Sequence, residues 1–234
     1  MPCLLLFDID GTILKFKKPL SRTIFSNVFL ELFNIKPNDN SLPDFAGMTD
    51  LAILKEIAFN NGVNKDELYK NLTTIWKRLT ENFINYCVPE NLELMPGILE
   101  LLSNLKKTDG ITLGLLTGNF KGCGYMKLKV YGIDETFPIG AFGDEYDDRN
   151  LLPPLAINRA NEYKKAQLFS IANTIIIGDT PRDILCGKAN NIPVICVATG
   201  NFSISDLSPF EPDYLLKDLS DIENFFRIIE VFTL

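Results

Sequence analysis

Short apolar runs, each ending at a polar residue, recur along the chain. Three of them are residues 4–7, 111–116 and 174–177, which are followed by Asp8, Thr117 and Gly178-Asp179 respectively. Near-continuous apolar runs of this length are typical of buried parallel strands, because helices cover both faces of such a sheet. Further candidate strands are residues 139–142, 193–197 and 214–216.

Helical spacing of apolar residues fills the intervals between these candidate strands. The predicted helices are residues 96–107, 121–131, 154–169, 181–190 and 221–231. Strands that alternate with helices favour an α/β fold with an open, doubly wound, mostly parallel sheet and right-handed crossovers. In such sheets ligands bind outside the carboxyl ends of the strands. We therefore expect Asp8, Thr117 and Asp179 to lie together at that edge.

Residues 15–89 show a different pattern, since they contain no strand-like run. Apolar residues repeat there at helical spacing: Phe25, Phe29, Leu32 and Phe33, then Ile53, Leu54 and Ile57, then Leu68, Leu72, Ile75, Leu79 and Phe83. We predict an all-helical domain, residues 15–89, inserted after the first strand. The α/β core would then consist of residues 1–14 and 90–234.

The composition narrows the possible chemistry. The chain has 234 residues and no histidine, which excludes Ser/His/Asp and Cys/His nucleophile systems and imidazole metal sites. A carboxylate, Lys, Tyr or Cys must therefore carry any proton transfer near neutral pH. The formal net charge of −7 disfavours nucleic acid and anionic membranes as partners. An anionic substrate would have to be held by local cations or by a metal ion.

The cysteines and the lengths of the apolar runs indicate the cellular compartment in which the protein is expected. The five cysteines are widely spaced and include no CxxC pair, so they predict neither a zinc site nor a disulfide framework. No apolar run approaches the ~20 residues needed to span a bilayer. We expect a cytoplasmic protein with no membrane partner, as a monomer or a small homo-oligomer.

Two carboxylates one residue apart follow the first predicted strand, in the segment Asp8-Ile9-Asp10-Gly11-Thr12. This arrangement would bring two acidic groups to the point where the chain leaves the sheet. Aspartate and glycine are also common in ordinary turns, which is the structural alternative. Two further polar segments end predicted strands: Thr117-Gly118-Asn119 and Gly178-Asp179-Thr180-Pro181-Arg182-Asp183.

These three segments, in this order, resemble the motifs of the haloacid dehalogenase superfamily, in its branch of phosphatases with an aspartate nucleophile. The resemblance implies that Asp8 attacks phosphorus and forms an aspartyl phosphate. It implies that Asp10 is the general acid and base, protonating the leaving alkoxide and later activating water. Thr117 would give its hydroxyl to a phosphoryl oxygen, and the N–H groups that follow, at Gly118 and Asn119, would bind the substrate.

The same resemblance implies a Mg²⁺ site made of oxygen ligands. Asp179 would bind the metal together with a carboxylate oxygen of Asp8 and the main-chain carbonyl of Asp10. Asp183 would be a further ligand or hold a metal-bound water. It could equally occupy the third position of a helix that is capped by Thr180, and both roles are compatible.

The family also places a cation near the nucleophile, and here the residues leave a choice. Arg149 is the preferred candidate, because an Arg can bind phosphate in a bidentate manner. Arg159, Lys164 and Lys165 lie further along the predicted helix and are alternatives. Each of these three could equally belong to a solvated helix face.

An all-helical insertion at this place resembles the small mobile cap of the superfamily. The resemblance implies hinges near residues 14–18 and 89–94. Gly47-Met48-Thr49-Asp50 resembles a loop of phosphoglycolate-phosphatase-like members, which makes Thr49 a candidate substrate contact. Its alternative is a helix N-cap.

Taken together, the residues and the resemblance predict a Mg²⁺-dependent phosphatase acting on a small phosphorylated metabolite. A sugar phosphomutase on the same core and a catalytically idle binding module are the alternatives. A dehalogenase is disfavoured by the presence of Asp10.

Overall fold

A six-stranded parallel sheet forms the centre of the protein in a computed structural model that describes residues 2–232. In chain order the strands are β1 (Cys3–Phe7), β2 (Leu14–Phe16), β3 (Leu92–Leu94), β4 (Ile111–Leu116), β5 (Ile139–Ala141), β6 (Thr174–Gly178), β7 (Val194–Val197) and β8 (Tyr214–Leu216). The sheet order is β5-β4-β1-β6-β7-β8, and every neighbouring pair is parallel. The predicted α/β fold with a parallel sheet is confirmed.

Helices cover both faces of this sheet. They are α1 (Leu20–Phe33), α2 (Asp50–Asn60), α3 (Lys65–Ile84), α4 (Ile98–Leu105), α5 (Lys121–Lys129), α6 (Leu152–Lys164), α7 (Pro181–Asn190), α8 (Ile204–Leu207) and α9 (Ile222–Val231). Helices α4, α5 and α9 bury apolar side chains in one core cluster, and α6 and α7 bury theirs in a second. The sheet is therefore doubly wound.

Strand β1 shows why the apolar runs are nearly continuous. Its side chains alternate between the two clusters: Leu5 and Phe7 face one, and Leu4 and Leu6 face the other. All four are fully buried. A strand that is covered on both faces needs apolar residues at every position, which produces an unbroken run rather than an alternating one.

Helix α6 ends earlier than predicted, at Lys164 rather than near residue 169. The C-cap residue Lys165 is left-handed, with a φ of 52°, which stops the helix. The side chain of Asn161 then accepts hydrogen bonds from the main-chain N–H groups of Leu168 and Phe169, both at 2.8 Å. These contacts fix the chain after the helix in a non-helical path.

The segment predicted as all-helical begins with a short strand. Helices α1 to α3 lie between β2 and β3, which pair as an antiparallel ribbon with Leu14 opposite Leu94. The expectation of no strand in residues 15–89 is therefore wrong at its start, because a three-residue strand is too short for its pattern to be visible. The ribbon falls on both predicted hinges, and the domain boundaries themselves remain a prediction.

Apolar side chains of this helical segment are continuous with the core on one face of the sheet. Phe25 and Phe29 of α1 and Leu79 and Phe83 of α3 belong to the same cluster as Phe7 of β1. The helices therefore pack on the α/β core in this arrangement. None of the helices within residues 2–232 combines the length and apolar character needed to cross a bilayer.

Candidate active site

The register of the three central strands β4, β1 and β6 brings the polar segments that follow them to one edge of the sheet. Phe7, the last residue of β1, pairs with Leu115 of β4 on one side and with Ile177 of β6 on the other. Residues that directly follow these strands must therefore lie at the same edge of the sheet. Asp8 is held there by its main-chain N–H, which donates to the carbonyl of Ile177 at 2.8 Å.

Asp8 is buried at this edge. Its Oδ1 accepts the N–H of Ile9 at 2.8 Å, and the Thr117 side chain forms a hydrogen bond with the carboxylate. Burial raises the pKa of Asp8 to about 6, although the charge of Arg149 opposes the shift and that of Asp183 adds to it. The raised pKa indicates a carboxylate that lacks full compensation for its charge in the protein alone.

Two glycines let the main chain approach Asp179. A Cβ atom on Gly11, which has a φ of +88°, would lie 2.2 Å from Oδ2 of Asp179, and one on Gly200 would lie 1.7 Å from it. Either side chain would displace the carboxylate. Thr12 donates its hydroxyl to Oδ1 of Asp179 at 3.1 Å. The glycine in the first motif is therefore needed for the position of an acid in the last one.

Asp8, Asp179 and Asp183 form a buried triad of carboxylates. One oxygen of each lies within 4.8 Å of the others. Burial raises the pKa of Asp179 well above its ordinary value, and the nearby charges of Asp183 and Asp8 raise it further. Within residues 2–232, Asp179 forms no ion pair. Hard carboxylate oxygens with uncompensated charge are a donor set that fits Mg²⁺.

Asp183 occupies the predicted third position of α7 and also belongs to the acidic triad. Its Oδ2 accepts the N–H of Thr180 at 3.0 Å and the Thr180 hydroxyl at 2.7 Å, while Thr180 caps α7 in return. This is a capping box, with Pro181 as the first residue of the helix. The other oxygen of Asp183 remains directed to the triad and to Arg149.

Arg149 is the cation that the fold places beside Asp8. It lies in a short 3₁₀ helix, Arg149–Leu151, immediately before α6, and its side chain is buried. Nη2 donates to Oδ1 of Asp183 at 2.5 Å and lies 3.4 Å from Oδ2 of Asp8. Nη1 donates to the carbonyl of Gly47 at 3.2 Å, and Nε is buried without a partner among the described residues.

Burial alone would lower the pKa of Arg149, but the charges of Asp183 and Asp8 outweigh this effect and raise it, so the guanidinium stays charged. The three alternatives lie elsewhere. Arg159 donates to the carbonyl of Gly140 and forms an ion pair with Glu145. The other two candidates, Lys164 and Lys165, are exposed at the end of α6.

The carboxylate of Asp10 lies outside the acidic triad. It accepts two hydrogen bonds from Nζ of Lys127, at 2.6 and 2.8 Å, and one from Nδ2 of Asn119, at 2.7 Å. Its predicted part in metal binding uses the main-chain carbonyl and stays a prediction. Asn119 also contacts Thr117 through both its main-chain and its side-chain nitrogen.

Lys127 was not singled out by the sequence pattern. It lies on α5 and is buried together with Cys123 and Leu128, which are four residues before it and one after it. Burial would lower the pKa of Lys127, and the charges of Asp10 and Cys123 with the hydrogen bonds to Asp10 raise it instead. A lysine at a buried helical position, in the helix after the second motif, is the signal that could have identified it.

The hydroxyl of Thr49 is hydrogen-bonded within the protein. It accepts the N–H of Ala52 at 3.1 Å as the N-cap of α2 and donates to the carbonyl of Asp147 at 2.9 Å. The helix-cap alternative is therefore confirmed, and the substrate contact of Thr49 stays a prediction.

Asp50, the next residue, joins the helical segment to the second motif. Its N–H donates to the carbonyl of Gly118 at 2.7 Å, and its Oδ2 accepts the N–H of Phe120 at 2.7 Å. Burial raises the pKa of Asp50 to about 7, while the Phe120 hydrogen bond and the charge of Lys127 oppose the shift. The start of α2 is therefore held directly against the segment that ends β4.

A cavity of about 560 Å³ opens onto these residues. Asp8, Asp10, Asp179 and Arg149 line one side of it, and residues of the helical segment, including Arg22 of α1, line another. This volume falls in the range of small-molecule sites.

Comparison with known proteins agrees with this geometry. The family model for haloacid dehalogenase-like hydrolases matches residues 5–197. The chain is 24% identical over 226 residues to phosphoglycolate phosphatase from Nitrosococcus oceani, covering 95% of this chain and 96% of that protein. It is 22% identical over 224 residues to pyrophosphatase PpaX from Oceanobacillus iheyensis, covering 93% and 94%.

Among solved structures, CbbY from Rhodobacter sphaeroides, in complex with phosphate, superposes with a TM-score of 0.69 at 19% identity, covering 95% of this chain and 96% of that one. This likeness concerns the fold. The extent of the family match shows that the chain belongs to the haloacid dehalogenase-like hydrolase family, which confirms the predicted resemblance to phosphatases of that superfamily.

Proposed function

We propose that the protein hydrolyses a small phosphate monoester through an aspartyl phosphate on Asp8, with Mg²⁺ as cofactor. The observation that carries the proposal is the buried Asp8 carboxylate at the end of β1, which shares a triad with Asp179 and Asp183 and has Arg149 3.4 Å away. A buried carboxylate beside a fixed cation is placed to attack an anionic centre that the cation holds.

The residues divide the chemistry between two steps. In the first, a carboxylate oxygen of Asp8 forms a bond to phosphorus while the bond to the ester oxygen breaks. Asp10 donates a proton to that oxygen, and the alcohol leaves. In the second, Asp10 takes a proton from water as the water attacks phosphorus. Phosphate departs and the carboxylate of Asp8 is restored.

The surrounding groups hold the phosphoryl oxygens during both steps. Arg149 is charged, buried and fixed by Asp183, so its position is set before the substrate binds. The hydroxyl of Thr117 and the N–H groups of Gly118 and Asn119 are the proposed further donors. Preorganised donors of this kind stabilise charge that develops in the transition state.

The triad supplies the proposed metal site. Asp8, Asp179 and Asp183, with the main-chain carbonyl of Asp10, are the groups that would hold Mg²⁺. When bound, the ion would neutralise the triad and polarise the phosphoryl group. The raised pKa values of Asp8 and Asp179 support this assignment, because they report carboxylates that the protein alone does not compensate.

The helical segment between β2 and β3 is proposed to be a cap over the cavity. Its residues line one side of the cavity, and the β2–β3 ribbon connects it to the core. A cap that closes excludes water while the acyl phosphate exists and contacts the leaving group. The proposed substrate is a small phosphorylated metabolite of the cytoplasm, bound by a monomer or a small homo-oligomer.

The names of the relatives suggest which compounds to test first. One relative is named for phosphoglycolate and another is named a pyrophosphatase. A panel containing phosphoglycolate, inorganic pyrophosphate, sugar phosphates and p-nitrophenyl phosphate should be assayed for phosphate release, with Mg²⁺ and with EDTA. Rapid Mg²⁺-dependent release from at least one ester supports the proposal.

The same assay separates the alternatives. A phosphomutase would exchange phosphate between positions of a sugar phosphate with little net release, and an idle binding module would release none. The Asp8→Asn protein, purified in parallel, is the control for contaminating phosphatases. Equal release by the wild-type protein and this control would contradict the proposal.

A further inference from the structure

The buried ammonium group of Lys127 donates hydrogen bonds to both oxygens of the Asp10 carboxylate. Its side chain is 2% exposed, whereas that of Asp10 is 41% exposed. The three acceptors of Nζ are both oxygens of Asp10, at 2.8 and 2.6 Å, and Oδ1 of Asn119, at 2.7 Å. An ammonium group has three donors, and all three are used. Asp10 is therefore held from its buried side while its other side faces the cavity.

Aromatic rings surround the rest of the ammonium group. Nζ lies 5.1 Å from the ring centre of Phe16 in β2 and 6.0 Å from that of Phe83 in α3. A buried cation is costly without acceptors, and these rings contribute attraction but no hydrogen bond. The position of Lys127 is thus set by apolar walls, and only Asp10 and Asn119 satisfy its donors.

The lysine also determines how the amide of Asn119 is oriented. Because an ammonium group can only donate, Oδ1 of Asn119 must face Lys127. The amide nitrogen is then directed to Oδ2 of Asp10 at 2.7 Å and to the hydroxyl oxygen of Thr117 at 2.8 Å. Lys127 thereby orients the Asn119 amide, and through it the contacts with Asp10 and Thr117.

We propose that Lys127 is a positioning residue for proton transfer, which holds the Asp10 carboxylate, together with Asn119, in line with the ester oxygen of the substrate. The inference rests on the proposed function, in which Asp10 protonates the leaving group. Lys127 itself touches no reacting atom. Its removal should leave Asp8 in place and release Asp10, so it should slow only reactions whose leaving group requires a proton.

The test replaces Lys127 with methionine, which fills the apolar space without a charge. The substrates are p-nitrophenyl phosphate, whose leaving group is stable as an anion, and the alkyl phosphate that the wild-type protein hydrolyses fastest in the ester panel. We expect kcat for the alkyl phosphate to fall about 10- to 100-fold with KM little changed, since misplacing a general acid removes much of its contribution. Activity on p-nitrophenyl phosphate should fall less than roughly 3-fold.

The matched control is Lys129→Met, on the exposed face of the same helix. It should change neither activity. Retained hydrolysis of p-nitrophenyl phosphate in Lys127→Met shows that the site is folded. Should the methionine variant fail to fold, Lys127→Gln provides the same comparison.

Each result decides a separate question. Equal losses on both substrates, or none on either, would overturn the role of Lys127 while the proposed function stands. No phosphate release from any ester by the wild-type protein would overturn the proposed function and this inference with it. A selective loss on the alkyl phosphate supports both.

Discussion

Arg149 donates from Nη2 to Oδ1 of Asp183 across 2.5 Å, and both side chains are buried. The same nitrogen lies 3.4 Å from Asp8. The Arg149 guanidinium therefore contacts two of the three acids in the triad, Asp8 and Asp183. The third acid, Asp179, accepts a hydrogen bond from Thr12. The capping box of α7 is thus connected to Asp8 through a single arginine.

This connection predicts unequal effects of two arginine substitutions. Arg149→Ala should lower kcat by about 10²–10³-fold, the usual effect of removing one preorganised donor. It should also destabilise the protein, because Asp183 loses its buried partner. Arg159→Ala should change kcat by less than roughly 3-fold, since its partner Glu145 lies in a half-exposed pair.

Steady-state phosphate release and thermal unfolding, measured on both variants, check this assignment. A larger loss of kcat in Arg159→Ala than in Arg149→Ala would transfer the role of the third-motif cation to Arg159.

Asp8→Asn should abolish turnover without unfolding the protein. The amide keeps an oxygen that can accept the N–H of Ile9, but it cannot form the acyl phosphate. Removal of a buried charge should leave the thermal midpoint of the metal-free protein at pH 8 unchanged or higher, because burial raises the pKa of Asp8 to about 6. Phosphate release should fall below about one thousandth of the wild-type rate.

Circular dichroism establishes that the Asp8→Asn protein is folded. Substantial turnover by that folded variant would show that the reaction does not pass through Asp8.

Mg²⁺ should stabilise the protein through the acidic triad. A ligand that binds only the folded state, at a hundredfold excess over its Kd, adds about 2.7 kcal/mol of stability. Thermal unfolding should therefore shift to higher temperature as Mg²⁺ is added and return with EDTA. Asp179→Asn should remove most of this shift, because it takes a carboxylate from the triad.

The matched control for the metal experiment is Asp109→Asn, at an exposed turn. It should retain the full shift. If Asp179→Asn retained it as well, the metal would have to bind somewhere other than the triad.

Much of the fold was visible in the sequence because it depends on local pattern. Buried parallel strands need apolar residues at each position, and helix α7 carries its own start signals in Thr180, Pro181 and Asp183. The predicted bounds of α7 and β8 agree with the structure. The sequence also predicted that Asp8, Thr117 and Asp179 would meet, because parallel strands end at a common edge.

What the sequence did not reveal depends on contacts between distant segments. Nothing local indicates that Lys127 reaches Asp10, 117 residues away, or that Gly200 makes room for Asp179. The sequence likewise could not show that the Thr49 hydroxyl donates to the carbonyl of Asp147, because that contact depends on where α2 packs. Strand β2 is three residues long and has no readable period.

Asp50 predicts a pH dependence of stability that can be isolated from the triad. Its folded pKa is raised by burial from 3.8 to about 7, so the folded state holds a proton that the unfolded state releases between these values. The stability of the metal-free protein should therefore fall as pH rises from about 4 to about 7 and then level off. Asp50→Asn keeps an oxygen for the N–H of Phe120 and removes the charge.

The variant should equal the wild type near pH 4 and exceed it at pH 8. The rise of about 3 units in the pKa of Asp50 corresponds to about 4 kcal/mol, or to a midpoint shift of roughly 8–16 °C in a chain of this size. Thermal unfolding in EDTA at both pH values measures the shift, with Glu56→Gln on the exposed face of α2 as the control. Asp8 and Asp179 titrate in both proteins, so the difference between the two curves reports Asp50 alone. A variant that is less stable than the wild type at pH 8 would mean that the buried Asp50 carboxylate is stabilised in its charged form, and its pKa would then lie below the ordinary value.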